Sequence, residues 1–469
     1  MKLRLALILG GLSAFGPLSI DMYLPAFPQL AEQLATGPAQ IQLTLTAFMF
    51  GLAAGQVVAG PLSDSFGRRG PLLVGLVLYT ASSLACAIAP SVYALAAMRL
   101  AQGLSAAAGI VIARAAVRDL FSGAAMARFF SVLMLVNGLG PMLAPVIGAQ
   151  VLRRTSWSGI FVVLAGFGVL LLIVCLVALP ETLPAAHRRP AHLGRTLSTF
   201  VRIGTDRGFV AYAAAAGFAL GAMFAYIAGS SFVLQDMYGM SPQQYSLVFG
   251  TNALGIVLFS QLNALLLRWF SPRRLLVCGL LASSAGGLAV LAAILFQLGL
   301  IALLAGLFVV VASVGMVTPN STALALADHA HRAGTAAALL GVLQFVVGGL
   351  AAPLVGVGGQ GTALPMGIVI AALTLGGLAA FALTRPTQDR PGRYVRRREA
   401  TTVEVEFHIP PELLYQGSAK TAPDGPDECG GEDGEGALSA SACFRGRFRG
   451  DSIGDVEDLS GEPRREDAE

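Results

Sequence analysis

Charged residues are scarce in this sequence, since Asp, Glu, Lys and Arg make up 12% of the 469 residues and hydrophobic residues make up 55%. Acids are rarest in the body of the chain: 19 of the 27 Asp and Glu follow Arg385, which leaves eight in residues 1–384. With a mean hydropathy of +0.70, the chain lies outside the range of soluble globular proteins. Lipid is therefore its expected solvent.

Lysine is also rare, and cysteine pairs and histidine motifs are missing. Two Lys accompany 29 Arg, a bias that points to a GC-rich bacterial genome. The five Cys occur singly, so neither a disulfide framework nor a metal site is supported. No G-x-S-x-G or H-E-x-x-H motif occurs and the five His fall in loops or the tail, so we expect no enzyme and no cofactor. Membrane topology explains the Arg residues, so nucleic acid is not an expected partner.

Long apolar runs dominate the rest of the sequence, and twelve of them have the ~20 residues that a helix needs to cross the hydrocarbon layer. Residues 1–20 resemble a signal peptide, but no convincing cleavage site follows, so we expect a retained first helix. The predicted spans are 5–24, 41–61, 71–90, 93–116, 129–151, 158–179, 208–233, 246–267, 273–295, 298–321, 334–357 and 363–384.

The basic residues lie on one side of these spans. Fifteen Lys and Arg fall on the side of the N-terminus, and two, Arg153 and Arg154, fall on the other. By the positive-inside rule both termini face the cytoplasm. The predicted location is a bacterial inner (plasma) membrane, crossed many times.

The predicted fold is all-α and polytopic, with twelve helices in two six-helix halves, an arrangement that places a transporter's substrate site between the halves. A faint repeat supports it, because Gly67-Arg68-Arg69 has a counterpart in Pro272-Arg273-Arg274. A long basic loop divides the halves, and the segment after Thr384 is acidic and poor in large apolar residues, which is typical of disorder. The predicted units are 1–179 (N-terminal half), 180–207 (cytoplasmic linker), 208–384 (C-terminal half) and 385–469 (disordered tail).

Ionisable residues inside a span are costly and mark functional sites. Three stand out: Asp21 in span one, and Arg99 and Arg114 in span four. If span one ends near Pro25, Asp21 lies about 6 Å below the outer boundary and Arg99 lies about 10 Å below it, so the two could meet. Switching Asp21 between pairing with Arg99 and a dry cavity would couple proton entry to conformational change. The alternative is a static ion pair between two helices.

Further candidates lie near the cytoplasmic boundary. Arg114 and Arg118 are expected as structural partners there, although Arg114 could equally snorkel to the interface. In the short connection between spans two and three, Asp64 is placed to meet a helix N-terminus or Arg118, contacts that a conformational change could break. The residues of this predicted switch loop are Gly60, Asp64, Gly67, Arg68 and Arg69.

Small and polar residues give the remaining candidates. Glycines and prolines in span five would kink the helix and let another approach, and close packing alone also explains them; they are Gly140, Pro141, Pro145 and Gly148. Asn320 could face a cavity or hydrogen-bond a neighbouring helix. Tyr23 and Phe48 are expected to line the cavity.

These motifs together resemble the major facilitator superfamily, and within it the drug:proton antiporters of the bicyclomycin/chloramphenicol resistance (Bcr/CflA) type, over residues 1 to about 384. Residues 60–70 are similar to the G-x-L-x-D-x-x-G-R-R hallmark, and Arg99 to Gly103, including Gln102, are similar to R-x-x-Q-G, whose Arg is implicated in proton coupling. Closer to the subfamily are residues 21–28, 114–121, 179–183 and 224–229. Two departures are Ala144-Pro145 in place of a double glycine and Trp157-Ser158 in place of Trp-Arg.

The resemblance implies a proton-gradient-driven exporter of small amphiphilic compounds such as bicyclomycin or chloramphenicol, which works by alternating access. A metabolite exporter, an importer or a uniporter would share the fold, and a channel or receptor is the alternative outside transport. The expected partners are a small-molecule substrate, protons and membrane lipid, and the expected state is a monomer.

Overall fold

The computed structural model describes residues 2–121, 123–188, 193–327, 329, 333–357, 359 and 361–384. The described residues lie within one compact unit, Met1–Pro391. The predicted tail 385–469 lies outside the described residues.

The described residues form helices and connections, without a strand. Two 3₁₀ turns (Leu24–Ala26 and Ala185–His187) and one π turn (Val233–Met237) join them. The helices are α1 (Lys2–Ser13), α2 (Phe15–Asp21), α3 (Phe27–Gln33), α4 (Pro38–Phe66), α5 (Arg69–Ala87), α6 (Val92–Leu120), α7 (Gly123–Leu152), α8 (Trp157–Ala178), α9 (Leu193–Gly204), α10 (Arg207–Phe232), α11 (Pro242–Leu266), α12 (Pro272–Leu295), α13 (Leu300–Ala327), α14 (Ala333–Val355) and α15 (Leu364–Thr384).

The predicted polytopic all-α class is confirmed, and its helix number is matched approximately. Ten of the described helices are long and apolar enough to cross a membrane, and the bent series α1–α3 makes an eleventh. The 30-residue α7 occupies the place of predicted span five and contains the shorter apolar stretch Gly138–Leu152.

The first span differs from its predicted end at residue 24. Pro25 and Pro28 do not stop the helix, because each sits in the first positions of a new helical turn, where a proline needs no N–H partner. The span therefore continues to Gln33, and the 40° bend of this series lies before Asp21, at the break between Ser13 and Phe15. Asp21 lies twelve residues before that end, about 18 Å for a continuous helix, so the helical segment does not end where the predicted depth of about 6 Å assumed.

A helix that the apolar runs did not predict lies in the linker. α9 places Phe200 and Ile203 in a small apolar cluster with Phe209 of α10 and Leu339 of α14. Its apolar residues follow one face of the helix and do not form a continuous run, so a search for membrane spans passes over it. The linker thereby packs on the C-terminal half.

The same close helix crossing occurs in both halves. A Cβ on Gly103 of α6 would overlap the carbonyl oxygen of Phe48 in α4. In the second half, a Cβ on Gly315 of α13 would overlap the carbonyl oxygen of Ile256 in α11. Small residues let each pair of backbones touch, which is how helices associate in lipid.

Hydrogen bonds join the two halves at the end of the bundle where α4 begins. We call this the Gly37 end, after the residue that precedes α4, and we call the opposite end the Arg68 end. Five side chains there donate to backbone carbonyls of the other half. The bonds are Gln42 Nε2 to Ala228 O (3.1 Å), Thr46 Oγ1 to Gly349 O (2.8 Å), Ser231 Oγ to Leu24 O (2.6 Å), Gln243 Nε2 to Ala149 O (3.2 Å) and Ser246 Oγ to Pro145 O (3.0 Å).

Candidate functional site

Arg99 lies on α6 and is fully buried. Its Nη1 donates to Gln102 Oε1 at 2.7 Å and its Nη2 donates to the Ser19 carbonyl oxygen at 2.9 Å. The guanidinium carbon also lies 4.2 Å from the centre of the Phe48 ring and 4.5 Å from that of Tyr23. Aromatic faces attract a desolvated cation. Among the described residues, this cation is therefore held by dipoles and rings and forms no ion pair with a carboxylate.

Two further hydrogen bonds fix the groups that hold Arg99. The Gln102 Nε2 donates to Ser83 Oγ at 2.6 Å, and the hydroxyls of Ser19 and Tyr79 lie 2.7 Å apart. This polar network connects α2, α5 and α6. Sequence analysis missed Ser19, Tyr79 and Ser83, because single hydroxyl residues in apolar spans are common and usually bond to their own helix.

Asp21 is the last residue of α2 and is 3% exposed. It does not pair with Arg99, although the sequence suggested that the two could meet. Successive residues of a helix turn by about 100°, so Ser19 and Tyr23, which contact Arg99, share one face and Asp21 lies on the opposite face. The direction of the Asp21 side chain was not foreseen from the sequence.

Asp21 instead faces the C-terminal half. It interacts electrostatically with Tyr226 of α10 and Tyr245 of α11. Asn252 Nδ2 donates to Tyr226 Oη at 2.8 Å, and the hydroxyls of Tyr245 and Ser230 lie 3.4 Å apart. All of these side chains are buried, but Asp21 Oδ1 has no hydrogen-bond partner in the described part of the chain. Asp21 is thus a buried carboxyl within electrostatic range of two tyrosines of the C-terminal half.

α7 packs against the first span beside Asp21, through the small residues that the sequence singled out. A Cβ on Gly148 would overlap the carbonyl oxygen of Met22, and a Cβ on Gly140 would lie 2.7 Å from Pro17 Cβ. Pro141 and Pro145 lie inside α7. The Pro145 carbonyl oxygen accepts a hydrogen bond from the Ser246 hydroxyl at 3.0 Å. α7 therefore contacts both the backbone next to Asp21 and the C-terminal half.

At the Arg68 end, Arg68 connects three segments and is 6% exposed. Its Nη1 donates to Ser63 Oγ at 2.8 Å and to Asp64 Oδ1, and its Nε donates to Asp119 Oδ2 at 2.8 Å. Asp64 thus pairs with Arg68 four residues later on the chain, and no ion pair joins it to Arg118 among the described residues. The loop stays within the N-terminal half, where it ties α4 to α6.

Glu181, which follows α8, completes this loop. Its Oε1 accepts the backbone N–H of Arg68 at 2.7 Å and of Leu183 at 3.0 Å, and its Oε2 accepts that of Arg69 at 3.2 Å. Burial raises the pKa of Glu181, but these backbone donors and the nearby Arg188 outweigh burial and bring the pKa below its ordinary value. Gly67, at φ +87°, provides the tight turn beneath the carboxylate. Sequence analysis noted this motif but assigned Glu181 no contact.

The other predicted residues lie apart from Asp21. Arg114 is on α6 and Arg118 is in its last turn, both toward the Arg68 end. Gly60 lies on α4, where a Cβ would be 4.0 Å from Val111. Asn320 donates to Asn263 Oδ1 at 2.6 Å and to the Met316 carbonyl, so it follows the alternative of bonding a neighbouring helix.

Tyr23 and Phe48 were expected to line a cavity. Both are fully buried in this structure, and the Tyr23 hydroxyl lies 2.6 Å from Thr44 Oγ1. Their rings cover Arg99. In this conformation they enclose a cation and face no open space.

Comparison with known proteins agrees with this architecture. The family model described as Major Facilitator Superfamily matches residues 9–353. The MFS-type transporter YdgK of Bacillus subtilis is 40% identical over 387 residues, which cover 82% of this chain and 96% of that protein. The bicyclomycin resistance protein homolog of Haemophilus influenzae is 32% identical over 379 residues, 81% of this chain and 95% of that protein.

Solved structures show the same fold at low identity. A bacterial homolog of the human lysosomal transporter Spinster superposes with a TM-score of 0.67 at 15% identity, over 82% of this chain and 97% of that one. The xylose transporter XylE from E. coli gives 0.64 at 14% identity, over 83% and 99%. Helices in two similarly crossed halves, a family match over most of the chain and close relatives of nearly full length lead to one conclusion: the chain belongs to the Major Facilitator Superfamily.

Proposed function

We propose that this chain is a proton-coupled exporter of small amphiphilic compounds, with Asp21 as the group that carries the proton. The observation that supports it most directly is the position of Asp21, a buried carboxyl between the halves without a hydrogen-bond or ion-pair partner in the described residues. A charge in that position is costly, whereas a protonated carboxyl is tolerated. Gain and loss of a proton there would change which arrangement of the halves is favoured.

The direction of transport and the class of substrate are proposed from relatives. One relative is named a bicyclomycin resistance protein homolog, and another, from Klebsiella pneumoniae, is named multidrug resistance protein MdtL and is 29% identical over 331 residues. Resistance by a transporter requires outward flux. Bicyclomycin and chloramphenicol are therefore the first compounds to test.

The excess of basic residues on the side of the N-terminus supports an inner-membrane topology with both termini in the cytoplasm. The Arg68 end is then cytoplasmic and the Gly37 end is external. The hydrogen bonds between halves at the Gly37 end would close the outer side while substrate enters from the cytoplasm. Breaking them would open the site to the outside, where Asp21 takes up a proton and substrate leaves.

The test is proton flux in proteoliposomes under an imposed pH gradient, on addition of chloramphenicol or bicyclomycin. We expect compound-induced proton movement with the wild type and none with Asp21→Asn. The matched control is Asp236→Asn, the same change at an exposed acid near the Gly37 end, which should transport normally. Full proton-driven export by Asp21→Asn would overturn the assignment of Asp21. Compound flux unaffected by the pH gradient in the wild type would favour a uniporter.

A further inference from the structure

The connection between α11 and α12, residues 268–274, carries three arginines, and we call it the Arg273 turn. Arg268 and Arg274 are exposed and Arg273 is half-buried. None of them forms an ion pair with a carboxylate in the part of the chain that the structure describes. The Arg273 turn therefore presents three positive charges to its surroundings.

The counterpart of this turn in the N-terminal half is neutralised by acids of its own half. Arg68 pairs with Asp64, four residues before it, and with Asp119 of α6 at 2.8 Å. In the Arg273 turn, the residue four positions before Arg273 is Trp269, so an aromatic ring takes the place of the acid. The two related turns thus differ in charge, and the one in the C-terminal half lacks a neutralising group among the described residues.

The Arg273 turn continues the surface that α11 presents to lipid. Exposed leucines follow one face of this helix at intervals of three, four or seven residues, and Trp269 is the next position on that face. The leucines are Leu247, Leu254, Leu258, Leu262 and Leu265. The backbone N–H groups of Trp269 and Phe270 donate to the Leu266 carbonyl oxygen at 3.0 and 2.9 Å, so the helical turn extends as far as these residues. Trp269 is 65% exposed and Phe270 is 45% exposed, and aromatic residues of this kind are enriched at the level of the lipid headgroups.

The length of α11 agrees with that level. The helix begins at the Gly37 end, where Gln243 and Ser246 donate to carbonyl oxygens of α7. Its 25 residues extend about 37 Å, which is enough to cross a hydrocarbon layer of ~30 Å. The Arg273 turn therefore lies at the Arg68 end, at the height of the phosphate groups of the lipid. A guanidinium group binds phosphate through paired N–H donors.

We propose that the Arg273 turn binds the headgroup of an anionic phospholipid, with Arg268, Arg273 and Arg274 holding the phosphate and Trp269 lying beside the lipid. A zwitterionic headgroup cancels the charge of its own phosphate, so the turn should select lipids with a net negative charge. The bound lipid would supply to the C-terminal half the negative charge that Asp64 supplies to the N-terminal half. This inference depends neither on the direction of transport nor on its coupling to protons.

The test uses the fluorescence of Trp269, because the chain has two tryptophans and the other, Trp157, is buried. The full-length Trp157→Phe protein is reconstituted in vesicles that contain equal amounts of phosphatidylglycerol and phosphatidylcholine, with the acyl chains of one lipid or the other brominated. Bromine quenches a tryptophan that it approaches, so the ratio of the two quenching efficiencies gives the lipid composition beside Trp269. We expect phosphatidylglycerol to be enriched about fivefold or more, the effect of at least one arginine at an anionic surface. If Trp157→Phe does not fold, the difference between the wild type and Trp269→Phe gives the same signal.

Arginine variants make the outcome specific. The triple change Arg268→Gln, Arg273→Gln and Arg274→Gln should abolish the enrichment. The matched control changes the exposed pair Arg153→Gln and Arg154→Gln, between α7 and α8, and should retain it. If the triple variant does not insert, salt carries the test: raising it from about 0.1 M to about 1 M shortens the Debye length from roughly 10 Å to roughly 3 Å and should remove most of the enrichment.

Three results would overturn the proposal. Equal quenching by the two brominated lipids in the Trp157→Phe protein would leave the arginines as topological anchors only. Enrichment that persists in the triple variant or at high salt would assign the lipid to other groups. Enrichment that appears only after removal of residues 390–469 would show that this acidic segment, and not lipid, occupies the arginines of the complete chain.

Discussion

The carboxylate of Glu181 accepts the backbone N–H of Arg68 at 2.7 Å, across 113 residues of sequence. With its second bond, to the N–H of Arg69, it caps the first turn of α5. A negative charge at this position is favoured because the N-terminus of a helix carries unpaired N–H groups and the positive end of its dipole. The segment after α8 is thereby fastened to the connection between α4 and α5.

Glu181→Gln should destabilise the protein, because the amide keeps an acceptor oxygen but loses the charge and the second acceptor. We expect a loss of roughly 0.5–1 kcal/mol, typical of a charge at a helix N-terminus. Thermal unfolding of the purified protein in detergent measures it. Glu32→Gln, at an exposed acid, is the control and should leave the melting temperature unchanged.

The difference in stability between the wild type and Glu181→Gln should depend on pH. The folded-state pKa of Glu181 is below its ordinary value, so its contribution is fully present above the ordinary pKa, about 4.3, and is lost as the pH falls through the folded-state pKa. The difference in melting temperature between wild type and Glu181→Gln should thus persist at neutral pH and vanish in acid. A difference that grows in acid would contradict the cap.

Gly148→Ala should damage the contact between α7 and the first span. The new methyl group would overlap the carbonyl oxygen of Met22, and a backbone cannot move aside as a side-chain tip does. We expect a cost of about 1–3 kcal/mol and reduced transport, because Met22 adjoins Asp21. Gly166→Ala is the matched control, since a Cβ there has no neighbour within 4 Å. Equal unfolding temperatures for the two variants would show that α7 can retreat.

Arg99→Lys should fold but lose at least tenfold in transport rate. The ammonium keeps the charge, yet it cannot bond Gln102 and the Ser19 carbonyl in the same fork while lying flat against Phe48. Rates of compound efflux from proteoliposomes measure the loss. Arg154→Lys, an exposed residue after α7, should retain the wild-type rate. A fully active Arg99→Lys protein would reduce the role of Arg99 to its charge.

Removing residues 390–469 should leave transport largely unchanged, because this acidic segment is not part of the pattern on which the transporter prediction depends. The measurement compares efflux rates of the truncated and complete proteins at equal amounts in the membrane. A complete loss of efflux despite normal insertion would show that the tail has a role in transport.

Apolar run length predicted the class of fold well, because crossing lipid leaves a helix little choice. It failed where structure depends on local geometry. Pro25 was taken as a stop, yet a proline can also begin a turn, and the first span continues to Gln33. α9 was missed since an amphipathic helix gives no long apolar run.

The site was predicted in composition but not in contacts. Asp21 and Arg99 were identified because charge inside a span is rare, and that rarity is visible in sequence. Which way Asp21 points depends on rotation about the helix axis, and the tyrosines within its electrostatic range, Tyr226 and Tyr245, belong to helices more than 200 positions further along the chain. Asp64 was expected to meet a helix N-terminus or Arg118, but it pairs with Arg68, which is only four residues away along the chain.

The five bonds that join the halves at the Gly37 end share an asymmetry, since every acceptor is a backbone carbonyl and every donor is a side chain. A backbone carbonyl that accepts a hydrogen bond within its own helix has a second lone pair for another donor. It is also kept when the side chain of its residue is replaced. Substitution at the five acceptor positions therefore keeps the acceptor of each bond. Substitution of one of the five donor residues removes its bond. When the halves separate, each donor and each acceptor can form a hydrogen bond with water in place of its partner. The closure can therefore open and re-form with little loss of enthalpy.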